Sequence, residues 1–207
     1  MLRRSFLSRF PAAAFLGTKG ATASAAAARW RAARHPQDDW FDRLPGQHRV
    51  FFDTWTAPKF EEAIGFAGNY FRASKDDYGL EDHDLAVVIC ARHRTGPFAF
   101  NDAIWAKYGK TFSERQQFTD PKTREAPTVN VYREQLARLA KQGVHLAVCN
   151  MTTKAYSRIF AQQTGAPVEA VYRELTTNTV GPATFVPAGI VAVTRAQEHG
   201  YAIVSIG

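Results

Sequence analysis

The stretch LAVVIC at residues 85–90 decides the fold class, because its six residues are all apolar. A strand with no polar alternation is typical of a parallel sheet that helices cover on both faces. A second run of the same kind, HLAVC, occupies residues 145–149. Both runs end in a cysteine. The sequence therefore predicts two buried parallel strands whose carboxyl ends each carry a thiol.

Similar elements lie on either side of these two runs. The further strand candidates are His48 to Thr54, Thr184 to Pro187 and Tyr201 to Ile206. Between the strands, apolar residues recur at helical spacing, as at Phe60, Ala63, Ile64, Ala67 and Phe71. Strands that alternate with helices predict one α/β domain over residues 48–207, with a doubly wound, mainly parallel sheet of five strands.

The interval between the second and third strands is unusually long, at about residues 92–128. It holds an aromatic helix candidate, Phe98 to Tyr108, and then a polar stretch from Gly109 to Thr128. Long intervals of this kind are commonly functional lids, oligomer arms or disordered insertions. We expect Trp105 to belong to a core or an interface rather than to a cofactor site.

Composition excludes several classes of protein. Of the 207 residues, 45% are hydrophobic and 13% aromatic, too many for a disordered chain. Two cysteines exclude a disulfide scaffold and a four-cysteine zinc site. The net charge is +7, but the first 28 residues hold four basic residues and no acid. The remaining 22 basic and 19 acidic residues are interspersed, which argues against nucleic-acid binding.

The N-terminus has the pattern of an export signal. Arg3 and Arg4, followed by Phe6 and Leu7, resemble the twin-arginine motif. A moderately apolar stretch and a run of small residues with candidate cleavage sites come next. The sequence therefore predicts a signal peptide over residues 1–28, a periplasmic protein and no stable membrane span. A disordered basic tail and a mitochondrial transit peptide are the alternatives.

Residues 29–47 are predicted to be a linker, since they contain two prolines and no continuous apolar period. Three aromatic residues in this segment could still attach it to the domain or to a neighbouring subunit. They are Trp30, Trp40 and Phe41.

Cys149 is the main candidate for chemistry. In open parallel sheets, ligands collect at the carboxyl ends of the strands. Cys149 ends the run HLAVC, and the next residues begin a helix. Free backbone N–H groups and the helix dipole favour a thiolate at such a position, as a nucleophilic or sulfur-carrying cysteine requires. The alternative is that Cys149 is a small buried apolar residue.

Two stretches of the chain resemble the DsrE/DsrF-like proteins. They are LAKQGVHLAVCNMTTKA at residues 139–155 and VPAGIVAVTRAQEHGYAIVSIG at residues 186–207. The resemblance covers about residues 48–207 and implies a flavodoxin-like fold and a homo-oligomer, a trimer or a hexamer. In sulfur-relay members, the cysteine that matches Cys149 carries sulfur as a persulfide. The resemblance thus implies that Cys149 is the sulfur acceptor and that a sulfur donor or acceptor protein is a partner.

Cys90 is expected to be a free thiol in the core. In the 2-1-3 strand order of a flavodoxin-like sheet, strand one separates strands two and three. Cys90 and Cys149 would then be two strand spacings apart, roughly 9–10 Å. That separation exceeds the usual Cα limit of about 7 Å for a disulfide.

Six polar residues near the two strand ends are candidates to line a pocket. Arg92 could hold an anion and His93 could act as an acid, a base or a metal ligand. The other four candidates are Asn101, Asp102, Asn150 and Thr152. Asn101 or Asp102 could instead merely cap a turn. The chain lacks the paired His or Cys spacing of a metal site and the glycine fingerprints of nucleotide sites, so we expect neither a metal nor a cofactor.

The sequence supports three hypotheses for function. The first is an exported DsrE-like protein that binds or transfers sulfur through Cys149, with Arg92 and His93 lining its pocket. The second is a non-enzymatic module that binds a small ligand or a partner. The third is a structural oligomer that uses the aromatic segment 98–112 as its interface.

Overall fold

The computed structural model describes residues 31–207. The predicted signal peptide, residues 1–28, and Trp30 lie outside the described residues. The strands are β1 (His48–Thr54), β2 (Leu85–Ala91), β3 (His145–Cys149), β4 (Ala183–Val186) and β5 (Ala202–Ile206). The helices are α1 (Trp40–Arg43), α2 (Phe60–Tyr78), α3 (Asp102–Gln116), α4 (Arg133–Lys141), α5 (Asn150–Thr164), α6 (Val168–Thr177) and α7 (Gly189–Glu198).

The five strands form one sheet in which every neighbouring pair is parallel. Helices flank the sheet, so the prediction of a doubly wound, flavodoxin-like α/β domain is confirmed. The strand order is β4-β3-β2-β1-β5. The expectation that strand one separates strands two and three is therefore wrong, because β2 and β3 are direct neighbours.

The strand order explains why the sheet has helices on both faces. The chain advances by one strand at a time from β1 to β4 and then returns across the sheet to β5. Because parallel crossovers are right-handed, this reversal places α2 to α6 on one face and α7 on the other. We call these the α2 face and the α7 face. Val87 of β2 packs in the core of the α2 face, whereas Val88 packs beside Ala192 of α7.

Part of the segment predicted as a linker packs against the α7 face. Trp40 and Phe41 of α1 are buried, and their rings stack with centroids 3.8 Å apart. The Tyr201 hydroxyl donates a hydrogen bond of 2.9 Å to the carbonyl of Phe41. These two aromatic residues thus attach the segment to its own domain.

The long interval after β2 is largely ordered and helical. A 3-10 helix spans His93–Ala99, and α3 continues to Gln116, eight residues beyond the end predicted from the sequence. Trp105 and Phe112 are fully buried in the core of the α2 face, where Phe118 also packs. Trp105 therefore belongs to the core, which is one of the two places expected for it, and the chain itself already buries the rings of Trp105 and Phe112 that the interface hypothesis would use.

Among residues 31–207, no helix is both long enough and apolar enough to cross a membrane.

Candidate functional site

The carboxyl ends of β3 and β4 lie side by side at one edge of the sheet. β3 is followed by α5, which packs on the α2 face, and β4 is followed by α7, which packs on the opposite face. In open α/β sheets, ligands bind outside the carboxyl ends of the strands. Cys149 and Val186, the last residues of β3 and β4, are register partners at this edge of the sheet.

Cys149 is the N-cap residue of the 15-residue helix α5. Its backbone is extended, with φ −67° and ψ 110°, so the chain turns from strand to helix immediately after it. The residue is 7% exposed. Strand alternation from Ala147, which packs on the α7 face, places the Cys149 side chain on the same face. The thiol thus lies at the positive end of a helix dipole.

Arg92 directly follows β2, the strand beside β3, and is held by a buried carboxylate. Its Nε and Nη2 atoms donate hydrogen bonds of 2.6 Å and 2.9 Å to the two carboxylate oxygens of Asp53. The Asp53 side chain is only 4% exposed, and the Arg92 side chain 20%. The hydrogen bond to Asp53 raises the pKa of the guanidinium. Continuing the β2–β3 register by one residue beyond Ala91 and Val148 places Arg92 opposite Cys149.

Two further residues restrict the position of the Arg92 side chain. Its guanidinium carbon lies 5.1 Å from the centre of the Trp55 ring, a cation–π distance. A Cβ added to Gly189 would come within 2.4 Å of the Arg92 Cβ, so the start of α7 packs directly on the side-chain stem. The salt bridge, the ring and the glycine together hold the guanidinium over the carboxyl end of β1, which borders β2 on the side away from β3.

Cys90 lies on the same face but is fully buried. Its thiol pKa is raised well above the usual value, mainly by burial and then by the neighbouring Asp53 carboxylate. Both cysteines are free, as the sequence predicts, although for a different reason. Cys90 is in register with Ala147, so Cys149 lies one strand across and two residues further along, about 8 Å away. That distance still exceeds the limit of about 7 Å for a disulfide.

The other pocket candidates do not join this cluster. Asn150 accepts a hydrogen bond of 2.9 Å from the Tyr172 hydroxyl. His93 and Thr152 line a separate groove between α3 and α5, on the α2 face. Arg92 and His93 are therefore adjacent in the chain, but Arg92 packs against Gly189 of α7, whereas His93 lines the groove on the α2 face.

Asn101 and Asp102 have local structural roles. Asn101 caps α3 by accepting hydrogen bonds from the backbone N–H groups of Ala103 and Ile104. The Asp102 carboxylate accepts a bond of 2.8 Å from the Asn130 N–H and lies 3.5 Å from Arg133. Capping was one of the roles that the sequence left open for these two residues.

Sequence reasoning missed three residues of this site, Asp53, Trp55 and Gly189. Asp53 had a detectable signal, because a carboxylate at the end of the otherwise apolar strand VFFD needs a buried partner. Gly189 had none, since its role depends on a contact with a distant strand end. Within residues 31–207, no group of three or more His, Cys, Asp or Glu side chains is placed to hold a metal ion.

Comparison of the chain with family models, curated proteins and solved structures found no match. Inferences about its function therefore depend on the site geometry and on the sequence motifs.

Proposed function

We propose that this protein is an exported DsrE-like protein that binds or transfers sulfur as a persulfide on Cys149. The observation that carries the proposal is the position of Cys149, at the start of α5 and at the carboxyl end of β3, where ligands of open α/β sheets bind. A helix N-terminus also attracts an anionic sulfur donor to this position.

The contrast with Cys90 supports the choice of Cys149. Burial and the Asp53 carboxylate raise the pKa of the Cys90 thiol, so Cys90 remains protonated and has no exposed surface. Cys149 keeps 7% of its surface exposed. Met151, next to Asn150 in α5, and Ile190, in the first turn of α7, are 67% and 60% exposed, so the surface near Cys149 is open to a donor.

The transfer step needs no external oxidant. The Cys149 thiolate attacks the sulfane sulfur of a donor persulfide, and a new S–S bond forms at Sγ. The S–S bond of the donor breaks, and its electron pair leaves with the donor sulfur as a thiolate. The proton of the terminal sulfur stays on the transferred atom, so Cys149 becomes a persulfide.

Intact-mass spectrometry tests this proposal. The reduced protein is mixed with glutathione persulfide, and we expect a gain of one sulfur atom. Cys90→Ser should keep the gain, and Cys149→Ser should lose it. A Cys149→Ser variant that still gains sulfur would contradict the proposal.

Export is proposed from the twin-arginine motif at Arg3 and Arg4. Replacement of both residues with lysine should leave an uncut precursor in the cytoplasm, since the pathway requires the arginine pair. Fractionation and immunoblotting measure the location. Export of the double variant at the original level would contradict this route.

Assembly into a homo-oligomer, a trimer or a hexamer, is proposed from the DsrE resemblance. Light scattering at high micromolar concentration tests it, and a monomer mass would remove it.

A further inference from the structure

One cavity of the protein lies apart from the thiol site. It is a groove of about 350 Å³ between the end of α3 and the first turns of α5. His93 and Arg94 line it from the turn after β2, and Arg115 and Gln116 line it from α3. Because α3 and α5 pack on the α2 face, the groove is separated by the sheet from the Arg92–Asp53 pair.

The charged residues of the groove are all basic. Arg94 and Arg115 are both exposed, and no carboxylate is among the lining residues. Neither arginine forms a salt bridge with an acidic residue of the described chain. Thr152, in the first turn of α5, places the groove beside a helix N-terminus, which also favours an anion.

Gln116 leaves one end of a buried amide without a partner. The residue is 2% exposed, and its amide nitrogen donates a hydrogen bond to the Tyr156 hydroxyl. Its Oε1 atom has no partner among residues 31–207. A half-turn of the amide would let the Tyr156 hydroxyl donate to Oε1 and would leave the NH₂ group free instead. In either orientation, one end of the buried amide has no hydrogen-bond partner in the described chain. Buried polar groups are rarely left unpaired.

The remaining wall of the groove is apolar. The Tyr156 ring, Ala155 and Ile159 line it from α5. Burial raises the pKa of Tyr156 to about 12, so its hydroxyl stays protonated. The volume is near the lower end of the roughly 300–1,000 Å³ range of small-molecule pockets. It is also larger than an inorganic oxyanion needs, so the apolar wall has room for the rest of an organic molecule.

We propose that this groove binds a small organic anion with one phosphate-like oxyanion head and a compact apolar body. The head lies between Arg94 and Arg115, and the body lies against Tyr156 and Ile159. The free end of the Gln116 amide, in the orientation that presents NH₂, donates to the head. The proposal is independent of the sulfur chemistry at Cys149, because none of these residues belongs to that site.

Phenyl phosphate is the probe that tests this site. Isothermal titration calorimetry on the full chain should show saturable binding of one molecule, tighter than that of inorganic phosphate. Benzyl alcohol, which has the ring but no charge, should not bind. In a ¹⁵N-labelled sample, the Gln116 side-chain NH₂ signal should shift as the site fills.

Charge variants decide whether the binding occurs at this groove. Arg115→Ala should weaken phenyl phosphate binding by at least about tenfold, since a hydrogen bond between charged groups is lost. Lys110→Ala removes one exposed positive charge from the same helix outside the groove and should leave the affinity unchanged. No binding of phenyl phosphate, equal losses in the two variants or an unshifted Gln116 signal would overturn the proposal. All of these outcomes can be read whether or not Cys149 takes up sulfur.

Discussion

The two ends of the sheet on the α7 face both hold titratable groups, but the surroundings of these groups differ. At the amino end, α1 covers the sheet, and the ring of His145 packs 5.2 Å from that of Trp40. At the carboxyl end, Cys149 stands at the start of α5 beside the Arg92–Asp53 pair. At the amino end, burial disfavours the charged form of His145. The carboxyl end combines a charged pair, a helix N-terminus and a partly exposed thiol. This difference is why we assign function to the carboxyl end.

The largest expected effect is on stability at the carboxyl end. Arg92→Leu leaves the buried Asp53 carboxylate unpaired and should lower the free energy of unfolding by about 3–5 kcal/mol. Asp53→Asn leaves Arg92, whose side chain is 20% exposed and can still reach water, so its cost should be about 1–3 kcal/mol. Urea denaturation measures both values. The opposite order would contradict the assignment of Asp53 as the more buried partner.

The next effect concerns the pH dependence at the covered end. Burial lowers the pKa of His145 to about 4, below its usual value of 6.5. As pH falls through 6.5, the unfolded state takes up this proton first, so the stabilising contribution is lost progressively between about pH 6.5 and pH 4. The loss attributable to His145 should reach about 3 kcal/mol.

Variants of two histidines isolate this contribution. His145→Gln should flatten the stability profile between pH 6.5 and pH 4, because glutamine carries no titrating proton. His83→Gln is the matched control, since the His83 side chain is 78% exposed and should not change the profile. Denaturation at a series of pH values provides the measurement. Equal profiles for the wild type and His145→Gln would contradict the description of this end as closed.

The smallest effect tests the contact between α7 and Arg92. In Gly189→Ala, the new Cβ meets the Arg92 stem, and the overpacking should cost about 1–3 kcal/mol. Gly65→Ala, in the interior of α2, has open space at the new Cβ and should stabilise by up to about 1 kcal/mol. Thermal unfolding distinguishes the two. A neutral Gly189→Ala would mean that α7 does not constrain Arg92.

The strands were predictable because their signal is local. LAVVIC and HLAVC are apolar without interruption, and β2 and β3 match them closely. The strand order was not predictable in the same way, since the local sequence of each strand does not specify its neighbours. Helix α6 was not predicted from the sequence, because its buried residues Val171 and Leu175 are interspersed with polar and charged residues along the chain.

The site was only partly predictable for the same reason. Cys149 was found because it ends one apolar run, and Arg92 because it follows another. Asp53, the partner of Arg92, lies 39 residues from it along the chain, and the pairing depends on strand register. His93 was grouped with Arg92 because the two are adjacent in sequence. The turn separates them, since His93 has a left-handed backbone with φ 52°.

Alkylation of the two cysteines in the folded, reduced protein tests the central claim most directly. Brief treatment with iodoacetamide at neutral pH, followed by peptide mass spectrometry, gives the rate at each thiol. Cys149 should be modified first, and Cys90 only after urea unfolds the chain, because Cys90 is fully buried and its pKa is raised. If both thiols react only after unfolding, or if Cys90 reacts first, Cys149 is a packed core residue and the proposed sulfur chemistry is wrong.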